Sequence, residues 1–549
     1  MSQISESTVH LIDAIRSHAD VYTHASDGDH TNMGGRGAYT SPVRPDARIT
    51  HQVFAAILRR MAMADRTMKY TPITRISPTT EEAEYEIGGG NIYMSPLIAD
   101  ESVSPFLSDD VRSEIVTKHH PYNTTFFHYT WSIPIEGQQP RDVDLYLSYP
   151  DDAVPVSEAV VFERVRLIFI WLQIAVPLSR HNCSNHLRIC MYFTNVLKQA
   201  PSDDHLEYTH VNSAVARTCP FDNTHDNQAD IRDICLFREE EWFKVFVHET
   251  FHCLGFDFSG ISSNALSRVN DEMRNAYPIL ASSTSVNLFE MYCETWAGIL
   301  NILMIVFAVP RNTNNPGNGV FVRNNNKNNT PKRQTNKRRN QRPITRRRRF
   351  FAGQFHAESI AREAFQLLEH EIAFCGLQAV KVLNLFGKIT PRQIWLQKPT
   401  TSTTTMRTPH SQFHTNTSAF SYFILRSFVL RRFCEFVAWC SNHQPPNSVL
   451  LPFRIAWTTP GVLDEFILRF VIHPFYSSSI IGIESNDDDI NNNNNSGTDF
   501  PRLSHVEAKD HVAFLTRMAG TLRKIQQLRP TENTTMFLHS MRMTLYSIS

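Results

Sequence analysis

Several common signatures are missing from these 549 residues. The nine cysteines, at 183, 190, 219, 235, 253, 293, 375, 434 and 440, include no C-x-x-C pair. An odd, dispersed set favours reduced thiols in a cytosol-like compartment over a disulfide framework. Net charge is also missing: 54 Lys and Arg meet 54 Asp and Glu. No global field therefore argues for nucleic acid, and any such binding must be local. The opening Met1-Ser2-Gln3-Ile4-Ser5-Glu6-Ser7 lacks a basic region followed by an apolar core, which points away from a signal peptide and towards an intracellular, non-secreted protein. The longest apolar run, Thr295 to Pro310, falls short of the about 20 residues a spanning helix needs, and Glu290 and Glu294 stand just before it. It reads as a buried core helix, with no membrane span. No internal repeat is visible.

What is present divides the chain by composition. Residues 1–140 form an N-terminal region whose first ~50 residues, polar and rich in Gly, Ser and Asp, read as a flexible arm. Alternating runs from Phe126 to Tyr149 read as strands that lead into residues 141–310, which add an apolar helix from Ala159 to Leu178 and strands at Leu187–Thr194 and Glu207–Ala216. Residues 311–350 are Asn-rich and then basic, a composition with too little apolar surface to fold, and are expected to be a disordered insertion. Its cluster at 331–349 offers a weak nucleic-acid contact, a nuclear-import signal or merely a solvated linker. Residues 351–395 return to an apolar helical pattern that completes the core. Residues 396–549 read as mainly helical, including a Phe420–Cys440 helix, and hold an Asn/Asp low-complexity loop.

The chemistry concentrates in Glu240 to Gly255, which reads as an amphipathic helix ending at a glycine suited to a left-handed turn. Inside it, His248-Glu249-Thr250-Phe251-His252 is the H-E-x-x-H pattern. Positions i and i+4 share a helix face, so both imidazoles can aim at one tetrahedral ion while Glu249 stands beside the open position. Two histidines alone hold zinc poorly, so a third ligand decides the class. The metzincin continuation H-x-x-G-x-x-H keeps Gly255, but its final position is Phe258, which cannot ligate, and Asp257 is out of register. The alternative is a carboxylate from a later helix. Glu290 and Glu294 fit the E-x-x-x-D/E pattern of thermolysin-like gluzincins: Glu290 ligates and Glu294 orients a ligand histidine, or the two roles are exchanged.

Beyond the metal motif, Glu239 to His252, Phe256-Asp257-Phe258-Ser259, Cys183 to Pro201, Val211 to Ala214 and Tyr292 to Ala297 resemble metallopeptidases encoded by large nucleocytoplasmic DNA viruses. The resemblance covers roughly residues 140–390, interrupted by the basic insertion. It implies a zincin fold and peptide hydrolysis, and it names no substrate. The expected architecture is thus α+β, a zincin-like metallopeptidase core with a mainly helical C-terminal extension. The expected activity is that of a zinc-dependent endopeptidase acting on a protein or peptide substrate. Zn2+ is held by His248, His252 and Glu290, and Glu249 acts as general base towards a metal-activated water. Tyr208, His210 and Tyr277 are candidates for stabilising the oxyanion. Two rivals stand beside this reading: a non-catalytic viral structural or scaffold protein with a structural metal site and a nucleic-acid-binding basic segment, and a metal-free interaction domain.

Overall fold

The computed structural model describes residues 45–76, 95–99, 106–119, 124–150, 155–179, 183–201, 206–219, 231–308, 346–394, 415–472, 505–527 and 537–548, with short breaks inside several of these ranges. The polar arm before residue 45, the expected insertion up to residue 345 and the Asn/Asp loop near residue 490 lie outside them.

Six strands, β1 (Thr74–Ile76), β2 (Thr124–Ile133), β3 (Arg141–Pro150), β4 (His186–Tyr192), β5 (Ala214–Ala216) and β6 (Ile231–Leu236), form one mixed sheet in the order β1-β2-β3-β4-β6-β5. β2 and β3 make an antiparallel hairpin whose turn uses Gly137 at φ 71°. β3, β4 and β6 run parallel, while β5 returns antiparallel along β6 and is an edge among the described residues. Parallel neighbours need a crossover, and between β3 and β4 this is a long helix.

The longer helices are α1 (Pro45–Thr67), α2 (Asp109–Lys118), α3 (Glu158–Ala175), α4 (Trp242–Cys253), α5 (Ser263–Ala276), α6 (Leu288–Ala308), α7 (Arg346–Phe386), α8 (Arg426–Arg431), α9 (Phe433–Asn442) and α10 (His505–Gln527). α3 is the crossover, capped by the Ser157 hydroxyl and apolar on most sides because it is covered on most sides. Trp131 and Tyr149 of the sheet lie beneath it, and its Trp171 Nε1 donates to Thr250 Oγ1 of α4 at 2.8 Å. On the opposite sheet face a smaller cluster joins Tyr192, Cys190 and Cys235 to Leu97, Ile98, Val111 and Ile115. α6 is long and apolar enough to cross a membrane by composition, but 89% of its most apolar window is buried in this core.

The α+β class is as expected, and several details differ from the sequence reading. Glu207–Ala216 is not one strand: Tyr208–Val211 forms a helical turn closed by His210 Nδ1 accepting the Glu207 N–H at 3.1 Å, and only Ala214–Ala216 pairs. β6 carries no alternation to predict it, because it is buried on both faces between β4 and β5 from Arg232 onwards, Arg232 and Asp233 included. α7 begins at Arg346, so the last five residues of the expected insertion are helical. The Phe420–Cys440 stretch is a widened turn at Phe420–Leu425 followed by α8 and α9, with a break at Arg432. The helices after residue 396 are not an appendage, since Phe433 of α9 packs with Phe54 of α1 and Phe365 of α7 inside the same core.

The cysteine expectation is corrected at one pair. Cys183 and Cys219 form a disulfide with Cα atoms 5.4 Å apart, although 36 residues separate them in sequence. Cys183 precedes β4 and Cys219 follows β5, so their pairing is a product of sheet topology that spacing does not reveal. This pair removes the cysteine argument for a cytosol-like compartment. The seven other cysteines are free thiols.

Candidate metal centre

α4 is placed by unusual ends. Its N-terminal neighbour Glu241 sits in the left-handed region at φ 61°, the one non-glycine to do so among the described residues, and so the helix starts two residues later than its sequence pattern suggests. At the other end Gly255 adopts φ 69°, with Phe256 N–H donating to Phe251 O at 2.9 Å and Gly255 N–H to His252 O at 3.3 Å. This is a Schellman turn, the geometry expected of a helix-terminating glycine. It folds the chain back so that Asp257 Oδ2 lies 2.5 Å from His252 Nδ1.

α6 crosses α4 with Glu290 and Glu294 on the facing side. Glu290 Oε2 lies 3.0 Å from His248 Nε2 and 3.5 Å from His252 Nε2, and the two Nε2 atoms are 3.0 Å apart. Three potential ligand atoms thus converge on one point. Glu294 Oε1 stands 3.0 Å from His248 Nδ1, at ion-pair distance without the alignment of a hydrogen bond. Glu290 Oε2 is buried and likewise lacks an aligned donor. The structure thus brings together the side chains the sequence reading named, His248, His252 and Glu290, with Glu294 behind His248. That reading did not foresee Asp257 as the partner of His252, because the only role weighed for that residue was ligation.

The electrostatics favour a cation. Glu249, Glu290, Glu294 and Asp257 crowd the two histidines, and Lys244 pairs with Glu294. Burial disfavours a charged imidazole, yet Glu290 and Glu294 raise His248 to about 9. Burial likewise opposes ionisation of Glu290, but His252 and His248 hold it well below the usual carboxylate range. For Glu249, burial prevails over both histidines and pushes the carboxyl up.

A cleft of about 440 Å3 opens over this cluster, lined by His248, Glu249, His252 and Glu290 and flanked by β5. Tyr208 lines it, its hydroxyl raised by burial and by the charge of Glu290. Tyr277 does not: its buried hydroxyl donates to Val471 O at 2.7 Å. His210 is engaged at its Nδ1 by the Glu207 N–H. The sequence reading missed Tyr422, which lines the cleft and sets its ring 6.2 Å from that of His248. Nothing in its apolar surroundings distinguishes it. No family model matches the chain, and neither does any curated protein or any solved structure.

Proposed function

We propose that the chain is a zinc-dependent endopeptidase with a zincin-like core. The observation that carries this reading is the spacing of the three ligand atoms, 3.0, 3.0 and 3.5 Å. Ligands about 2.0–2.1 Å from a tetrahedral zinc ion lie about 3.3 Å from one another. His248, His252 and Glu290 would hold the ion, with Glu294 and Asp257 fixing the two imidazoles from behind. A bound zinc ion supplies Lewis acidity and lowers the pKa of a water it binds.

The remaining steps belong to the protein. Glu249 takes a proton from the attacking water and passes it to the leaving amine, a task suited to a carboxyl whose pKa burial has raised. Tyr422 and Tyr208 present hydroxyls to the developing oxyanion. β5, an edge antiparallel to β6, offers its backbone to an extended peptide. The cleft over the ligands favours catalysis over a purely structural ion, whose site would be closed. The resemblance to metallopeptidases of large nucleocytoplasmic DNA viruses agrees with this reading.

The test is Glu249→Gln assayed on unfolded casein. Turnover is expected to fall about 10²–10⁴-fold with one zinc per chain retained. Turnover near the wild-type rate would refute the general-base role, and wild-type protein that takes up no zinc would refute the metal reading.

A further inference from the structure

His248 and His252 are each backed by one acid, and the acid behind His248 is itself gripped by a cation. Lys244 precedes His248 by one turn of α4 and is 1% exposed. Its ammonium lies 2.5 Å from Glu294 Oε1 and also contacts Oε2, so it holds both oxygens of the carboxylate that faces His248 Nδ1. Its other contact is Met543 Sδ at 3.5 Å, and Met543 also lines the cleft. Met543 is fixed in turn, because Glu241 Oε1 accepts the N–H groups of Met543 at 2.8 Å and Thr544 at 2.5 Å. Glu241 Oε2 takes Lys198 Nζ at 2.8 Å. An unbroken file of buried contacts thus runs from the left-handed residue before α4 to the histidine that faces Glu290.

A buried ion pair is poor at stabilising a fold, since apolar residues of similar volume often serve as well or better. The placement of this one behind His248 is therefore its distinguishing feature. We propose that Lys244 is a positioning residue of the metal centre. By holding both oxygens of Glu294 it fixes the rotation of that carboxylate, keeps Oε1 on Nδ1, and so leaves the His248 Nε2 lone pair aimed at Glu290 and His252. Segment 537–548 takes part through Met543, which covers the ammonium. The inference rests on the metal reading above.

The experiment compares wild type, Lys244→Met, Glu294→Gln and the double variant by zinc competition against a chelator, by the visible spectrum of the cobalt-loaded protein and by thermal unfolding. Lys244→Met is expected to bind zinc about 10–100-fold more weakly and to change the cobalt spectrum. Loss of stability alone, the mark of a merely structural lysine, would move only the melting curve. The double variant leaves neither an unpaired lysine nor an unpaired carboxylate, so it can fold even where Lys244→Met cannot. Its zinc affinity should equal that of Glu294→Gln, because Lys244 then has nothing to act through. Wild-type affinity and an unchanged cobalt spectrum in Lys244→Met would overturn the inference alone, as would a further tenfold loss in the double variant relative to Glu294→Gln. Absence of zinc uptake by wild type would overturn the metal reading and this inference with it.

Discussion

The two ends of α4 are both surrounded by buried charge, and they differ in one respect. Around its N-terminal end the charges match: Lys198 pairs with Glu241, Arg426 with Glu371, and Arg542 with Glu240. These groups also clamp segment 537–548, with Arg426 donating to Met543 O, and with Glu371 Oε2 accepting from Thr544 Oγ1 and Leu545 N–H, each at 2.9 Å. Around the histidines four carboxylates face one lysine, and the rest of the balance in the metal-free protein comes from the two imidazoles, whose charged form the acids favour. A matched network is complete by itself and serves as support. One balanced by titratable imidazoles can exchange their protons for a cation from outside, so the two regions should respond differently to mutation and to metal.

The largest effect should come from breaking the matched region. Glu371→Ala leaves the Arg426 guanidinium and the Leu545 N–H without their buried acceptor, and removing one member of such a pair typically costs about 3–5 kcal/mol. Urea denaturation of the metal-free protein measures it. Glu290→Ala in the same assay should lose less, because the acid it removes is paired with imidazoles that can shed their charge once it is gone. Equal losses in both variants would erase the distinction between the two ends.

Next comes the metal itself. Zinc at a hundred times its dissociation constant should stabilise the wild type by about 2.7 kcal/mol, and Glu290→Ala should show none of this gain. Glu294→Ala should keep the metal but bind it about 10–100-fold more weakly, as loss of an orienting partner does. A chelator titration in which Glu294→Ala loses the metal and Glu290→Ala keeps it would exchange the two roles.

The contrast between the ends also explains what the sequence made legible. The i, i+4 histidines, Glu290 and Glu294 are local periodic features of two strong helices, so pattern alone located them. Gly255 announced the end of α4 because its backbone conformation is one that side chains resist. The supporting network is assembled from positions as far apart as Glu241 and Thr544, and no local pattern encodes such a pairing. Segment 537–548 read as more helix for the same reason: its backbone groups are satisfied by distant buried side chains such as Glu241, Glu371 and Lys381. Tyr422 and the Cys183–Cys219 bridge likewise depend on tertiary placement alone.

A smaller effect tests how tightly the support is packed. A Cβ added at Gly298 of α6 would come within 2.5 Å of Arg426 Nη2, the atom that pairs with Glu371. That guanidinium is buried and held on two sides, so it has little freedom to withdraw. Gly298→Ala should therefore cost about 1–3 kcal/mol despite the better helix propensity of alanine. A neutral or stabilising result would show that the network can shift without loss.

The smallest effect belongs to a third charge cluster, on the partly exposed sheet face, which serves as the control. Asp144 on β3 accepts from His128 Nε2 at 2.9 Å and His186 Nε2 at 2.5 Å, with its side chain 21% exposed. Burial opposes ionisation of Asp144, but the hydrogen bonds from His128 and His186 outweigh it and hold the carboxyl below its ordinary value of 3.8. A depressed folded-state pKa contributes stability that is fully present above the unfolded value and is lost as pH falls through the folded one. Asp144→Asn should thus cost about 1 kcal/mol at pH 7, and the difference from wild type should close only below the unfolded value, in the acid range. Zinc affinity should not change, because Asp144 belongs to neither end of α4. If Asp144→Asn weakened zinc binding tenfold, charge on the outer sheet face would be coupled to the metal centre, and local charge matching would no longer explain the difference between the two ends.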